Sequence, residues 1–166
     1  MKRFFVLLIG TISLLSAANQ VAPDFTLKDL KGKTYTLSNL WSEKPVVIDF
    51  WAIWCHSCGR ALKELEELWD EAGDSSFYLI SIDVDNPSKI SRVKSLVKSR
   101  GWKFPVLLDS QKKVKLMYKV MALPTLYVVD TTGHIVYFRV GYKPNEKKDV
   151  KKILLKLGVK FKGGVK

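Results

Sequence analysis

Cysteine is almost absent from this chain: two of 166 residues, Cys55 and Cys58, three positions apart. That excludes a disulfide framework. The one pair that can form would close a very short loop, and a cross-link stabilises least where the loop is shortest. A chain of this length also has room for one domain with a real core and needs no staple. Histidine is equally scarce, with His56 and His134 alone. A zinc site wants four ligands, or three and a water, so no metal is expected. Cys55, Cys58 and one histidine still leave a soft ion such as Cu(I) as an alternative. A c-type haem attachment needs histidine directly after the second cysteine, and Gly59 stands there. Apolar runs are short as well. Phe4 to Leu15 is interrupted by Gly10, Thr11 and Ser13 and falls below the about 20 residues of a membrane span. There is no repeat, low-complexity stretch or long linker, so the body of the chain reads as one domain.

What the N-terminus does contain resembles an export signal. Lys2 and Arg3 precede the apolar run, and Ser16-Ala17-Ala18 offers a small-residue cleavage site before Asn19. Residues 1–18 are expected to be a cleaved signal peptide, with tethering by residues 4–18 as the weaker alternative. Residues 19–166 are then the exported domain, in a periplasmic or other extracytoplasmic compartment where disulfides persist. No cysteine lies near the cleavage site to take a lipid.

The net charge is +12, and without Lys2 and Arg3 it is +10. Much of the excess is late, at Lys147, Lys148, Lys151, Lys152, Lys156, Lys160, Lys162 and Lys166. Val150, Ile153, Leu154 and Leu157 keep helical spacing between them, which places the lysines mostly on the solvated face of an amphipathic helix. Weak attraction of that helix to an anionic membrane surface is the functional alternative. Nucleic acid is not an expected partner, since no binding motif is present, and a monomer is expected.

Thr26-Leu27 and Thr34 to Leu37 flank Lys31-Gly32-Lys33 and predict an N-terminal hairpin. Val46 to Trp51 and Phe77 to Asp83 read as buried strands. Leu62, Leu65, Leu68, Trp69 and Ala72 predict a helix beginning near Cys55. Ile90, Val93, Leu96 and Val97 mark another, followed by a short strand at Val106 to Leu108. Val114, Leu116 and Tyr118 suggest a brief helix. Thr125 to Asp130 and Ile135 to Val140 form two strands around Thr132-Gly133. The alternation gives a three-layer α/β/α sandwich with a central mixed sheet.

The cysteines carry the chemistry. A thiolate attacks a disulfide, and a free cysteine with a pKa of ~8.5 is only slightly ionised at pH 7. Cys55 falls where a strand ends and a helix begins, where unpaired N–H groups and the helix dipole favour negative charge. Lowering its pKa by ~1.5 units takes about 2 kcal/mol. Cys58 lies one turn inside and can reach back. The expected cycle is attack by Cys55, a mixed disulfide, and resolution by Cys58. His56, if protonated, lowers the Cys55 pKa further; otherwise it is a plain exposed imidazole. Asp49 is an acid inside an apolar strand. It is expected either to take and return the Cys58 proton or to be a polar residue bonded to nearby backbone.

Four stretches now carry a resemblance: "APDFTLKDLKGKTYTLSNL" (Ala22 to Leu40), "VVIDFWAIWCHSC" (Val46 to Cys58), "FPVLLD" (Phe104 to Asp109) and "ALPTLYVVD" (Ala122 to Asp130). The chain resembles the thioredoxin superfamily in its exported TlpA/ResA-like, redoxin-like branch of thiol–disulfide oxidoreductases. The first stretch alone also suits peroxiredoxins. The resemblance implies a thioredoxin fold with a helix–strand insertion between Ser88 and Leu108. It makes Cys55 the attacking and Cys58 the resolving thiol, makes Pro124 cis and opposite the pair, and matches Asp49 to the family's buried acid. Trp54, His56, Leu123 and Thr125 are the implied substrate contacts, with Trp54 packing beside the thiols. Ser57 stands where the family often has proline, and Lys63 where a kinking proline often follows. Asp83 and Asp85 lie near a position where some members carry a tuning acid, but their register does not assign the role.

The expected function is therefore an exported reductant of protein thiols and disulfides that needs no cofactor. It would be fed by a membrane or exported electron donor, in cytochrome c maturation or preparation of a copper site. A net disulfide-forming oxidase and a Cu(I) metallochaperone are the rivals, with a peroxidase behind them.

Overall fold

The computed structural model describes residues 20–73 and 76–162; the expected signal peptide lies outside the described residues. The elements are β1 (Gln20–Val21), β2 (Thr26–Lys28), β3 (Thr34–Thr36), α1 (Leu37–Trp41), β4 (Val46–Trp51), α2 (His56–Ala72) and β5 (Tyr78–Asp83). After a 3-10 turn at Pro87–Lys89 come α3 (Ile90–Arg100), β6 (Val106–Leu108), α4 (Lys113–Met117), β7 (Thr125–Val129), β8 (His134–Val140) and α5 (Glu146–Lys156).

One sheet runs in the order β1-β8-β7-β4-β5-β6. β4, β5 and β6 are parallel, while β7, β8 and β1 add antiparallel pairs, so the sheet is mixed. Every residue of the central strand β4 is buried, as an apolar run predicts for a strand covered on both faces. Alternation sends Val47 and Trp51 into a core with Leu62, Leu65 and Leu68 of α2, Val93 of α3, and Val150 and Leu154 of α5. Val46, Ile48 and Phe50 enter a second core with Leu37 of α1, Val114 of α4 and Tyr118 just beyond it. These two cores are the filling of the expected three-layer sandwich. β2 and β3 pair apart from the main sheet as the expected hairpin.

Some details depart from the sequence pattern. The strand expected to reach Leu37 stops at Thr36, and Leu37 opens α1. The Leu37 N–H donates to the Phe25 carbonyl at 3.0 Å and the Ser38 N–H to Asp24 Oδ1 at 2.9 Å. That satisfies the start of a helical turn whose Leu37, Leu40 and Trp41 share a face on the second core. The brief helix marked by Val114, Leu116 and Tyr118 is α4, a single short helix buried through Val114 with Leu116 exposed. Two of the α5 lysines pair with acids of α2 at the surface. Lys147 Nζ lies 2.6 Å from Glu67 and Lys151 Nζ 2.7 Å from Glu71, both acids of α2.

Candidate active site

Cys55 is the last extended residue before α2 (φ −88°, ψ 98°). Its N–H donates to the Ala52 carbonyl at 3.1 Å, which fixes the turn out of β4. The first turn of α2 contains no acidic residue, so nothing there opposes negative charge at the helix N-terminus. Cys55 is half-buried, whereas Cys58 is fully buried in the α2 core. The two are joined as a disulfide with Cα atoms 5.4 Å apart. The asymmetry assigned from sequence is therefore present: one sulfur is reachable, the other shielded. Ser57 Oγ lies 3.6 Å from Cys55 Sγ, within reach of a weak hydrogen bond.

Asp49 is fully buried, and neither carboxyl oxygen has a hydrogen-bond partner among the described residues. Alternation along β4 puts it on the same face as Val47 and Trp51, which pack in one core with Cys58. Burial pushes its pKa well above the usual carboxylate range. The charge of Glu146 adds to the rise and that of Arg139 opposes it. The reading of Asp49 as a residue bonded to nearby backbone does not hold in this structure. A buried acid whose proton affinity is raised toward that of a thiol is equipped to exchange protons with one.

Thr125 pairs with Phe50 in the β7–β4 ladder. The Leu123–Pro124 step, a cis peptide bond, therefore lies just beyond, at the sheet end where β4 hands over to the cysteine loop. Leu123 packs against the core that includes Cys58, and Pro124 is buried. Trp54 and His56 are exposed on either side of Cys55, Trp54 at 65%. Thr125 is fully buried and its hydroxyl donates to the Ala122 carbonyl at 2.7 Å. It shapes the turn before Pro124 and offers no hydroxyl to a substrate.

Two groups at the site were given no role by the sequence reading. Asp85 Oδ2 accepts the Ile53 N–H at 2.7 Å and so anchors the loop leading into Cys55. Asp83, buried beside it, has no protein donor for either oxygen among the described residues. Burial first, then a hydrogen bond to Asp85 and the charges of Asp85 and Asp109, push its pKa up to about 8. The visible signal was Ser81, Asp83 and Asp85 at alternate positions of an apolar strand. The second group is the buried pair Arg139–Glu146. Arg139 also donates to the Gly141 carbonyl, and the Gly141 N–H donates to the Pro124 carbonyl at 2.7 Å. This links α5 to the proline turn; no sequence pattern pointed to it.

Residues 18–138 match the AhpC/TSA family. Thiol-disulfide oxidoreductase ResA of Bacillus anthracis is 33% identical over 125 residues, spanning 75% of this chain and 70% of its own. The exposed lipoprotein thioredoxin Etrx1 of Streptococcus pneumoniae strain TIGR4 aligns with a TM-score of 0.69 at 30% identity, over 81% of this chain and 99% of that one. A thioredoxin-like protein from Porphyromonas gingivalis gives a TM-score of 0.69 at 32% identity, over 89% and 97%. The sandwich shared with these structures is thioredoxin-like.

Proposed function

The chain belongs to the AhpC/TSA family as a thioredoxin-like thiol–disulfide oxidoreductase close to the ResA proteins, and from that premise we propose that Cys55 and Cys58 reduce selected protein disulfides outside the cytoplasm. The observation that carries this reading is the unequal placement of the two sulfurs at the start of α2, with the unpartnered Asp49 on the face that packs with Cys58. In the dithiol form, the Cys55 thiolate attacks one sulfur of the substrate disulfide. The other sulfur leaves as a thiolate and takes a proton from water. Cys58 then attacks Cys55 Sγ while its proton passes to the Asp49 carboxylate, and the second substrate sulfur leaves reduced. Two electrons have moved to the substrate, and the pair is left as a disulfide. A membrane or exported dithiol donor must return it to the reduced form.

Export rests on Lys2 to Ala18 as a cleaved signal. Apocytochrome c or a copper-site protein are the substrates the family resemblance favours. The domain works as a monomer, with Lys148, Lys152 and Lys156 exposed on α5 for weak attraction to an anionic surface. A net oxidant is the second reading, favoured by the acid-free first turn of α2, since whatever stabilises the thiolate stabilises the dithiol form.

Equilibrating the pair against glutathione and dithiothreitol decides between them. A potential near the about −270 mV of thioredoxin supports the reductant, and one near the about −120 mV of DsbA the oxidant. Cys58→Ser should accumulate mixed disulfides with protein substrates and Cys55→Ser almost none; equal trapping would remove the assignment of roles. Tight Cu(I) binding abolished by Cys55→Ser and His56→Ala would favour the metallochaperone.

A further inference from the structure

A cleft of about 160 Å³ opens beside the reachable sulfur, between the first turn of α2 and the end of α3. Cys55, His56 and Arg100 line it together with the apolar side chains of Ile53, Leu96 and Trp102. Trp102 is held edge-to-face on Trp51, with ring centroids 5.1 Å apart, and stacked on Phe104 at 5.4 Å. That wall is therefore braced from two sides.

Arg100 closes α3 immediately before the left-handed Gly101. A side chain added at Gly59 would meet Arg100 Nη2 at 3.8 Å, so the guanidinium lies against the first turn of α2. Gly59 is four residues after Cys55, on the same helix face and about 6 Å further along the axis. No ion pair or side-chain hydrogen bond engages Arg100 among the described residues. No acidic residue lines the cleft. Asp85, the acid attached to this loop, is taken up by the Ile53 N–H. Trp51, in the same lining, keeps a buried indole N–H without a partner among the described residues. The volume is below the about 300 Å³ at which small-molecule sites begin, and suits a single short side chain. Its chemistry is an apolar stem ending in a group for a planar cation, and guanidinium pairs best with a carboxylate.

We propose that this cleft is a specificity subsite for an aspartate or glutamate side chain of the substrate next to its reacting cysteine, with Arg100 as the residue that reads it. The inference rests on the thiol–disulfide reading above and adds a substrate preference to it. The subsite orients the disulfide for attack by Cys55 and takes no part in the exchange of electrons.

Three peptide disulfides, identical except for Glu, Gln or Lys beside the cysteine, test it in single-turnover reduction by the full-length dithiol protein. The Glu peptide is expected to react about three- to fivefold faster than the Gln peptide, the scale of one exposed ion pair, with the Lys peptide slowest. High salt should shrink the gap. Arg100→Gln should abolish the gap between the Glu and Gln peptides, whatever their common rate, and Arg100→Lys should restore part of it. Equal rates for the three peptides, or a preference that survives Arg100→Gln, overturn the subsite. So does an Arg100→Gln variant that slows all three peptides by the same factor, because Arg100 would then act on the thiolate. Failure of the wild type to reduce any of the peptides would instead sink the thiol–disulfide reading, and the subsite with it.

Discussion

Replacing Asp83 with asparagine removes a proton that the folded chain keeps and the unfolded chain releases. Asp83 is 1% exposed, and burial with Asp85 beside it raises its pKa to about 8; in the unfolded chain it titrates near ~3.9. Below about pH 4 both states are protonated and the group is neutral to stability. Between about pH 4 and 8 the native state holds the extra proton, so stability falls by about 1.4 kcal/mol per pH unit. Above pH 8 both states are ionised and the penalty is complete. Four units set a ceiling of about 6 kcal/mol; relaxation of the Ile53 loop as the pair ionises brings the expected difference to about 2–4 kcal/mol. Asparagine retains a donor for Asp85 but has nothing to titrate. Urea melts of the oxidised protein from pH 4 to 9 should give nearly equal stabilities at pH 4 and a variant progressively more stable than wild type up to pH 8, at constant m. Asp49 and Glu146 are also raised by burial, but they tilt both curves together and cancel in the difference. Parallel curves, or a variant that loses ground as pH rises, would refute the reasoning.

Asp49→Asn should leave the attack by Cys55 nearly intact and slow resolution of the mixed disulfide in stopped-flow. The fold should be unchanged or more stable at neutral pH, because a carboxyl whose ionised form is costly to bury becomes a neutral amide; lost stability with unaltered resolution would make the residue structural. Glu146→Gln leaves Arg139 charged and buried without its partner, and denaturant melts should show a loss of about 3–5 kcal/mol. The double change Arg139→Met with Glu146→Leu should recover most of that loss, and a double variant as unstable as the single one would contradict it. Leu65→Ala, under β4 in the α2 core, should cost about 2–5 kcal/mol by the same assay. Lys151→Ala at the exposed pair with Glu71 should cost no more than about 1 kcal/mol.

The elements that were legible are those whose signal is local. The apolar run Val46 to Trp51 and the spacing Leu62, Leu65, Leu68 are periodic in themselves, so β4 and α2, and with them the position of Cys55, could be read directly. Asp49 stood out for the same reason, as an acid inside such a run. What raises and offsets its proton affinity did not, because Arg139 and Glu146 belong to β8 and α5 and meet it only through the sheet. Asp85 was visible as a residue but not as an anchor, since its partner is a backbone N–H from another segment. α1 was missed because its first turn is completed by Phe25 and Asp24 from outside it, and β1 because two residues on a sheet edge carry almost no pattern. Arg100 carries no signal in the sequence beyond that of a cation at a helix end, where a basic residue complements the dipole; that it lines the Cys55 cleft depends on how α3 packs on α2.

The place of β4 at the centre of the sheet bears on the order in which the chain folds. One edge of β4 meets β5, the next strand to follow it, but the other must wait for β7, after β6 and α4. Pairings between distant segments form late, since a long loop has to close before they return any stability. Cys55 and Cys58, neighbours through α2 alone, can exist as a reactive pair before the turn around Pro124 arrives. Arg139 and Glu146, which neighbour Asp49 in the finished sheet, arrive later still. During that interval the thiols are open to any oxidant and to any passing disulfide. The turn around Pro124 comes only with the last third of the polypeptide, so a nascent chain stalled after Asp109 would carry the cysteines and Arg100 with that side of the site still open.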